Sequence, residues 1–179
     1  VGAELFAQKS YAATTTRELA KALGVTNGTF YHYFPNKEDL LLAICQESLS
    51  SIIAAGEKAI AGIDDDEERV RALIAGHVSA MLGDQDLHRT MLIELRSLDR
   101  ANLNLVLALR DEYSALVRGV LEQAQGSGFL RSDLDGRMLS LMLLNLLNWT
   151  IFWFKRNGAQ SREEIAAVVA TTFLDGARP

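Results

Sequence analysis

Proline and cysteine are nearly absent from this chain. Its 179 residues include two prolines, Pro35 and Pro179, so almost nothing forbids helix from end to end. Runs that alternate apolar and polar residues are also missing, whereas Ala, Leu, Arg and Glu abound; the pattern predicts an all-α protein. The single cysteine, Cys45, excludes an intramolecular disulfide. With no other ligand type clustered around it, Cys45 reads as a small hydrophobe in a helix, consistent with a reducing cytoplasm. No secretory leader is visible, and no clean apolar run is long enough to span a bilayer comfortably. The most apolar stretch, residues 138–154, is interrupted by Ser140, Asn145, Asn148 and Thr150. It is expected to be a helix buried on nearly all sides, with no membrane partner.

The charge balance is acidic, −5 overall, which argues against nucleic acid until its distribution is read. Between Lys9 and Lys37 stand Lys9, Arg17, Lys21 and Lys37 against Glu18 alone. The acids concentrate after residue 62. A local basic face on an acidic body can meet phosphates and keep the protein in solution.

Residues 1–8 read as amphipathic helix with neither an initiating Met nor a cap, so the first helix is expected to begin upstream. Thr15-Thr16-Arg17-Glu18 supplies a capping box for a helix through Leu19, Ala20 and Leu23. Gly24 suits the left-handed turn that ends it. Thr26 or Asn27 caps a short helix that Pro35 stops, and Asn36 caps a long one reaching about Ala61. The run Val70, Leu73, Ile74, His77, Val78, Met81 and Leu82 marks another helix. Gly83 to Asp86 reads as a loop, before a short helix holding Met91, Leu92, Leu95 and Leu98. A long helix follows from about Asn102 to Gln125. Ser132 is expected to cap the next, which would extend to about Arg156. Ser161 with Glu164 opens the last as a second capping box, bringing the total to about nine helices.

Residues 15–34 thus read helix, tight turn, helix. Leu19, Ala20, Leu23, Val25, Phe30 and Phe34 would pack the pair together, leaving Asn27, Gly28, Thr29, Tyr31 and His32 outside. Small polar residues at the start of a short helix, with aromatic hydrogen-bonders after them, suit a major groove. The helix N-terminus, and Lys37 at the start of the next, offer positive potential to phosphates.

At these residues a family resemblance becomes specific. The run TTTRELAKALGVTNGTFYHYFPNKEDLLLAI, preceded by LFAQKSYAATT, resembles the signature of the TetR family of regulators, with the strong match over residues 1–45. The resemblance implies a three-helix DNA-binding domain at 1–45 and a ligand-binding and dimerisation bundle at 46–179. It places Thr16, Tyr31 and Lys37 at phosphate-contacting positions and Thr26, Asn27, Thr29 and His32 on the groove-reading helix. Thr15, Arg17, Gly28 and Tyr33 complete the expected DNA-binding set. The later helices resemble the family by architecture, which implies a pocket walled by the middle helices and a dimer interface made by the last two. Candidate pocket residues are His77, Met81, Met91, Leu95, Arg110, Tyr113, Asn145, Asn148 and Trp149. Candidate interface residues are Leu143, Leu147, Phe152, Ile165, Val168, Val169, Thr172 and Phe173. A further pattern, LRDEYSALVRGVL, GFLRSDLD and LLNWTIFWF followed by SREEIA, is similar to regulators of steroid or fatty-acid breakdown that sense CoA thioesters. The expected partners are therefore a double-stranded DNA operator, a hydrophobic small-molecule effector and a second copy of the chain.

Other readings stand beside these. His77 on its apolar face is ordinarily a satisfied core histidine, or else a pocket hydrogen-bonder. Asp84, Asp86 and His88 could be imagined as metal ligands, but a solvated loop without cysteines explains them, so no metal is expected. Asn145 and Asn148 need partners if buried, at an interface or on a ligand. A helical enzyme would need a paired-carboxylate, Cys/His or Gly-rich phosphate constellation, and the sequence offers none; no cofactor is expected. A hydrophobe carrier without DNA binding leaves the outward Thr29, Tyr31 and His32 unexplained.

Overall fold

A computed structural model describes residues 1–179. It is all-helical, with nine α-helices and one 3-10 turn: α1 (Gly2–Lys9), α2 (Thr16–Ala22), α3 (Asn27–Tyr33), α4 (Lys37–Ile60), α5 (Asp66–Gly83), α6 (Gln85–Glu94), the turn Leu95–Ser97, α7 (Arg100–Gly126), α8 (Gly136–Trp153) and α9 (Arg162–Ala177).

Local hydrogen bonds explain most of the boundaries. Thr15 and Ser161 each accept from the amide three residues on, and Glu18 and Glu164 return the bond, so both expected capping boxes are formed. Asn36 and Asp39 make the same reciprocal pair at the start of α4. Three expectations are corrected. Asp135, not Ser132, caps α8, because its carboxylate accepts from the Met138 amide at 2.8 Å. The same helix stops at Trp153, short of Arg156. The stretch around Asp84–His88 is not a solvated loop: Asp84 caps α6 through the Leu87 amide, and His88 is buried with its Nδ1 2.8 Å from Ser48 Oγ.

The chain groups into two compact units, residues 1–50 with 84–110 and residues 51–83 with 111–179. The segment 1–45 lies wholly in the first unit, which also takes in α6 and the start of α7. Its core joins Phe6, Leu19, Phe30, Leu41, Ile44, Cys45, Met91 and Val106. Burial pushes the Cys45 thiol up to about 12, so it stays a neutral hydrophobe there. In the second unit α5 packs against α8 and α9. Val70, Leu73, Ile74, Met81 and Leu82 of α5 are fully buried, as are Leu143 and Leu147 of α8 and Leu174 of α9. The α4 residues of this unit cross α5 closely: a Cβ on Gly76 would stand 2.7 Å from Ala59 Cβ.

Helix α4 has the length and mean hydropathy, 1.3, of a membrane span, yet half of that window is buried within the protein. Its charges stand mostly at the two ends, Lys37, Glu38 and Asp39 at the start and Glu57 and Lys58 near the finish, with Glu47 alone between them.

Helix α8 is not buried on nearly all sides as expected. Leu139, Leu143, Leu147 and Ile151 are buried, while Met138, Leu141, Met142, Leu146, Trp149, Phe152 and Trp153 are exposed. The exposed set recurs at three- and four-residue steps, which makes one continuous apolar stripe. Asn145 lies on this stripe and Asn148 is half-buried at its margin.

Candidate nucleic-acid interface

The turn between α2 and α3 closes by the hydrogen bonds its glycine permits. Gly24 takes φ +71°, the Val25 amide donates to the Ala20 carbonyl at 3.0 Å, and the Gly24 amide donates to that of Lys21 at 3.1 Å. A side chain at that φ would be strained, which is why glycine ends α2 here. Thr26 then caps α3, accepting from the Thr29 amide at 3.1 Å and sharing a 2.9 Å bond with the Thr29 hydroxyl.

This arrangement aims α3 outward. Phe30 is the one residue of the helix wholly inside, with Phe34 half-buried against it. Leu23 and Val25, expected inside the pair, are instead more than a third exposed at its rim. Thr26, Asn27, Gly28, Thr29, Tyr31, His32 and Tyr33 are all exposed, Tyr33 most fully at 70%. The Tyr31 hydroxyl lies 3.0 Å from Thr16 Oγ1, so the start of α2 and the outer face of α3 meet in one hydroxyl pair. Thr15 and Arg17 flank it in the open. The amides of Thr16 and Arg17 at the start of α2, and of Asn27 and Gly28 at the start of α3, take no part in these capping bonds, and such helix N-termini suit phosphate oxygens. Lys9 pairs with Glu18 at 2.6 Å, and this pairing together with the capping bonds holds the Glu18 carboxyl down to about 2.

Lys37 is placed differently from its neighbours. Its ammonium donates to the carbonyls of Tyr11 at 2.7 Å and Thr14 at 2.9 Å, and it stands 4.2 Å above the Tyr11 ring. Sequence reading missed the groups that share this locality. Glu94 accepts from the Tyr11 amide at 3.1 Å, and Glu38 accepts at 2.8 Å from both the Asp99 amide and Asn102 Nδ2. Nothing in local sequence could reveal these bonds, since their partners lie more than sixty residues apart in the chain.

The candidate pocket residues divide between the two units. Met91 and Leu95 pack in the core of the first unit, and Arg110 is exposed there. His77, Met81 and Tyr113 are buried in the second unit, where His77 Nδ1 lies 2.8 Å from the Tyr113 hydroxyl. Asn145 and Trp149 look outward from α8. Of the candidate interface residues, Leu143, Leu147, Ile165 and Phe173 are buried inside their own chain, because they form the faces of α8 and α9 turned inward. Phe152, Val168 and Thr172 are exposed, and Val169 is half-buried.

Known proteins agree with the geometry. Residues 1–44 match the family described as bacterial regulatory proteins, tetR family, and residues 64–177 match the tetracyclin repressor-like C-terminal domain. The fatty acid metabolism regulator protein of Bacillus subtilis is 29% identical over 151 residues, covering 83% of this chain and 76% of its own. The solved TetR family transcriptional regulator PfmR of Thermus thermophilus superposes with TM-score 0.90 at 33% identity, over 97% of this chain and 94% of that one. AibR, solved in complex with isovaleryl coenzyme A and operator DNA, shares the fold with TM-score 0.86 at 24% identity, over 95% of this chain and 92% of its own. The chain belongs to the TetR family of bacterial regulatory proteins and is a DNA-binding transcriptional regulator, not an enzyme.

Proposed function

We propose that the protein is a cytoplasmic repressor that binds a near-palindromic operator as a homodimer and is released by a hydrophobic small molecule of the CoA-thioester class. The observation that carries the reading is the outward face of α3, from Thr26 to Tyr33, with no apolar side chain on it larger than the rings of its hydroxyl-bearing tyrosines. The N-terminal residues Thr26, Asn27 and Thr29 would approach base edges, and Thr16 and Tyr31 would hold phosphates on either side. Two copies related by a two-fold axis would read half-sites about one helical turn apart or a little more.

The apolar stripe of α8 supports the homodimer. A continuous row from Met138 to Trp153 is larger than the scattered apolar residues a monomer usually leaves in water, and Val168 on α9 is exposed as well. The effector class is supported by the relatives: one is named for fatty acid metabolism, and another was solved with isovaleryl coenzyme A. Within the second unit, the buried His77–Tyr113 pair offers the polar atoms an otherwise apolar interior would present to a ligand.

Selection from a random duplex pool tests the reading. The protein should enrich a two-fold symmetric sequence, bind it more weakly as salt rises, and release it when isovaleryl-, octanoyl- or palmitoyl-CoA is added. Enrichment of no sequence would refute DNA reading. Enrichment without release by any of the three would refute the effector class alone.

A further inference from the structure

We propose that Arg96 and Arg100, at the turn between α6 and α7, form a second DNA contact outside the α2–α3 reader and grip backbone phosphates of the same duplex, beside the bases that α3 reads. The proposal rests on the DNA-reading function above.

The sequence from Leu95 to Arg100, LRSLDR, sorts by period. The turn Leu95–Ser97 is 3-10, a geometry in which residues three apart share a side. Leu95 and Leu98 both turn into the core of the first unit, whereas Arg96 and Arg100 stand in the open. The backbone that carries them is tied down around both. The Leu98 amide donates to the Leu95 carbonyl at 3.3 Å, Ser97 Oγ donates to Glu94 Oε2 at 3.3 Å, and Asp99 Oδ1 accepts from the Asn102 amide at 2.8 Å.

Two long-range contacts set this turn beside the reader. Glu94 Oε1 accepts from the Tyr11 amide, and Tyr11 opens the short segment that leads into Thr15 and Thr16. Glu38 Oε1 accepts from the Asp99 amide and from Asn102 Nδ2, and Glu38 directly follows Lys37. The arginines therefore stand at the end of the unit that carries Thr16 and Lys37, two positions expected to meet phosphates. Their charge is also free to be used there. The neighbouring acids are spent inside the unit: Glu38 and Glu94 on these amides, Asp99 on that of Asn102, and Asp39 on that of Asn36. None of these carboxylates takes either arginine, and neither arginine joins an ion pair elsewhere in the chain. Two unpaired guanidinium forks on a fixed backbone, continuous with a DNA-reading face, suit phosphate oxygens better than any other part of a duplex.

The test uses the full chain, a duplex enriched by the wild type and a scrambled duplex of equal length, over a range of salt. Each lost phosphate contact flattens the salt slope by about 0.9, so the R96Q/R100Q double variant should flatten it by about 1.8 per protomer. Both duplexes should weaken alike, because phosphates carry no base sequence, and the preference for the enriched one should persist. The R96K/R100K variant keeps both charges and should keep most of the slope. Arg89 and Arg118 are exposed elsewhere on the chain, so R89Q/R118Q removes equal charge and should leave the slope as in wild type. Hydroxyl-radical cleavage of the enriched duplex should lose one protected backbone patch per half-site with R96Q/R100Q and keep the rest. An unchanged slope and footprint in R96Q/R100Q would overturn the proposal. So would an equal flattening by R89Q/R118Q, which would make the effect one of overall charge. A loss confined to the enriched duplex at constant slope would overturn it as well, since the arginines would then act on the shape of the reader. If R96Q/R100Q does not fold, the single variants R96Q and R100Q decide by the same criteria at half the change. A wild type that enriches no duplex refutes the DNA-reading function itself, an outcome distinct from any result with the variants.

Discussion

His77 on α5 and Tyr113 on α7 share a 2.8 Å hydrogen bond with both side chains buried and their rings 5.6 Å apart. The surroundings are apolar, and burial raises the Tyr113 phenol well above its ordinary value. Helix α4 reaches the same place, since a Cβ on Gly56 would stand 3.1 Å from Tyr113 Cε2. Tyr113→Phe keeps the ring and deletes the hydroxyl opposite His77 Nδ1. It should lower stability to urea by about 1–3 kcal/mol, the usual cost of stranding a buried polar group. Because the folded phenol ionises later than the unfolded one, its contribution is complete below pH 10.0 and declines above it. The alkaline loss of stability should therefore be shallower in Tyr113→Phe than in wild type.

Acid should act on the reader through Glu18. Its carboxyl is held down to about 2 from 4.5, first by Lys9 and then by the bonds to Thr15. A group with a lowered folded value favours the fold above its unfolded value and loses that preference as pH falls. The window is therefore from about 4.5 down to about 2. Amide exchange at the start of α2 should quicken across this window in wild type. In Glu18→Gln, which can still close the capping box but cannot ionise, the step should be absent. A step of equal size in the variant would assign the effect to another carboxylate.

Much of the helical framework was legible because its signals are local. Thr15 and Glu18, Gly24, and Ser161 with Glu164 each act within a few residues, and each element starts or stops where they stand. Partnership is a different matter. The sequence of α8 is apolar on every side, so periodicity could not say that Leu143 and Leu147 turn inward while Leu146 and Trp149 turn out. His88 beside two aspartates resembled a loop because Ser48, which takes its Nδ1, is forty residues away. A separation of 83 residues hid Glu94 from Tyr11, and the carbonyls that Lys37 meets lie 26 and 23 residues before it.

Gly76 is fixed by close approach and not by its backbone angle. A methyl group there would meet Ala59 Cβ at 2.7 Å and the Ala55 carbonyl oxygen at 3.1 Å. Alanine gains about 1 kcal/mol of helix propensity over glycine, but overpacking costs typically about 1–3 kcal/mol. Gly76→Ala should therefore be neutral to destabilising by about 2 kcal/mol in thermal or urea unfolding, against the gain an open helical site would give. Ala59→Gly in the same chain removes the atom it strikes, so the double variant should recover part of the loss once the helix cost of the second glycine is allowed for. A clear stabilisation by Gly76→Ala alone would show that the two helices can separate at no cost.

Two pairs of residues on α8 should separate folding from assembly. Leu143 and Leu147 are fully buried against their own chain, and Leu143→Ala should cost about 2–5 kcal/mol of fold stability by leaving a cavity. Leu146 and Trp149, a few residues along the same helix, are 44% and 66% exposed, and nothing in the single chain depends on burying them. Leu146→Glu with Trp149→Glu should leave the helical content intact, because glutamate is a good helix former and both sites are open to water. In a homodimer built on this stripe the same pair would place four carboxylates in an apolar seam, where burial without partners is prohibitive. Sedimentation velocity at micromolar concentration should then report a folded monomer in place of a dimer. Affinity for a duplex with two half-sites should fall toward that for a single half-site, since the second reader is no longer carried by the first. A variant that still sediments as a dimer would move the interface off this face and leave the stripe to another partner.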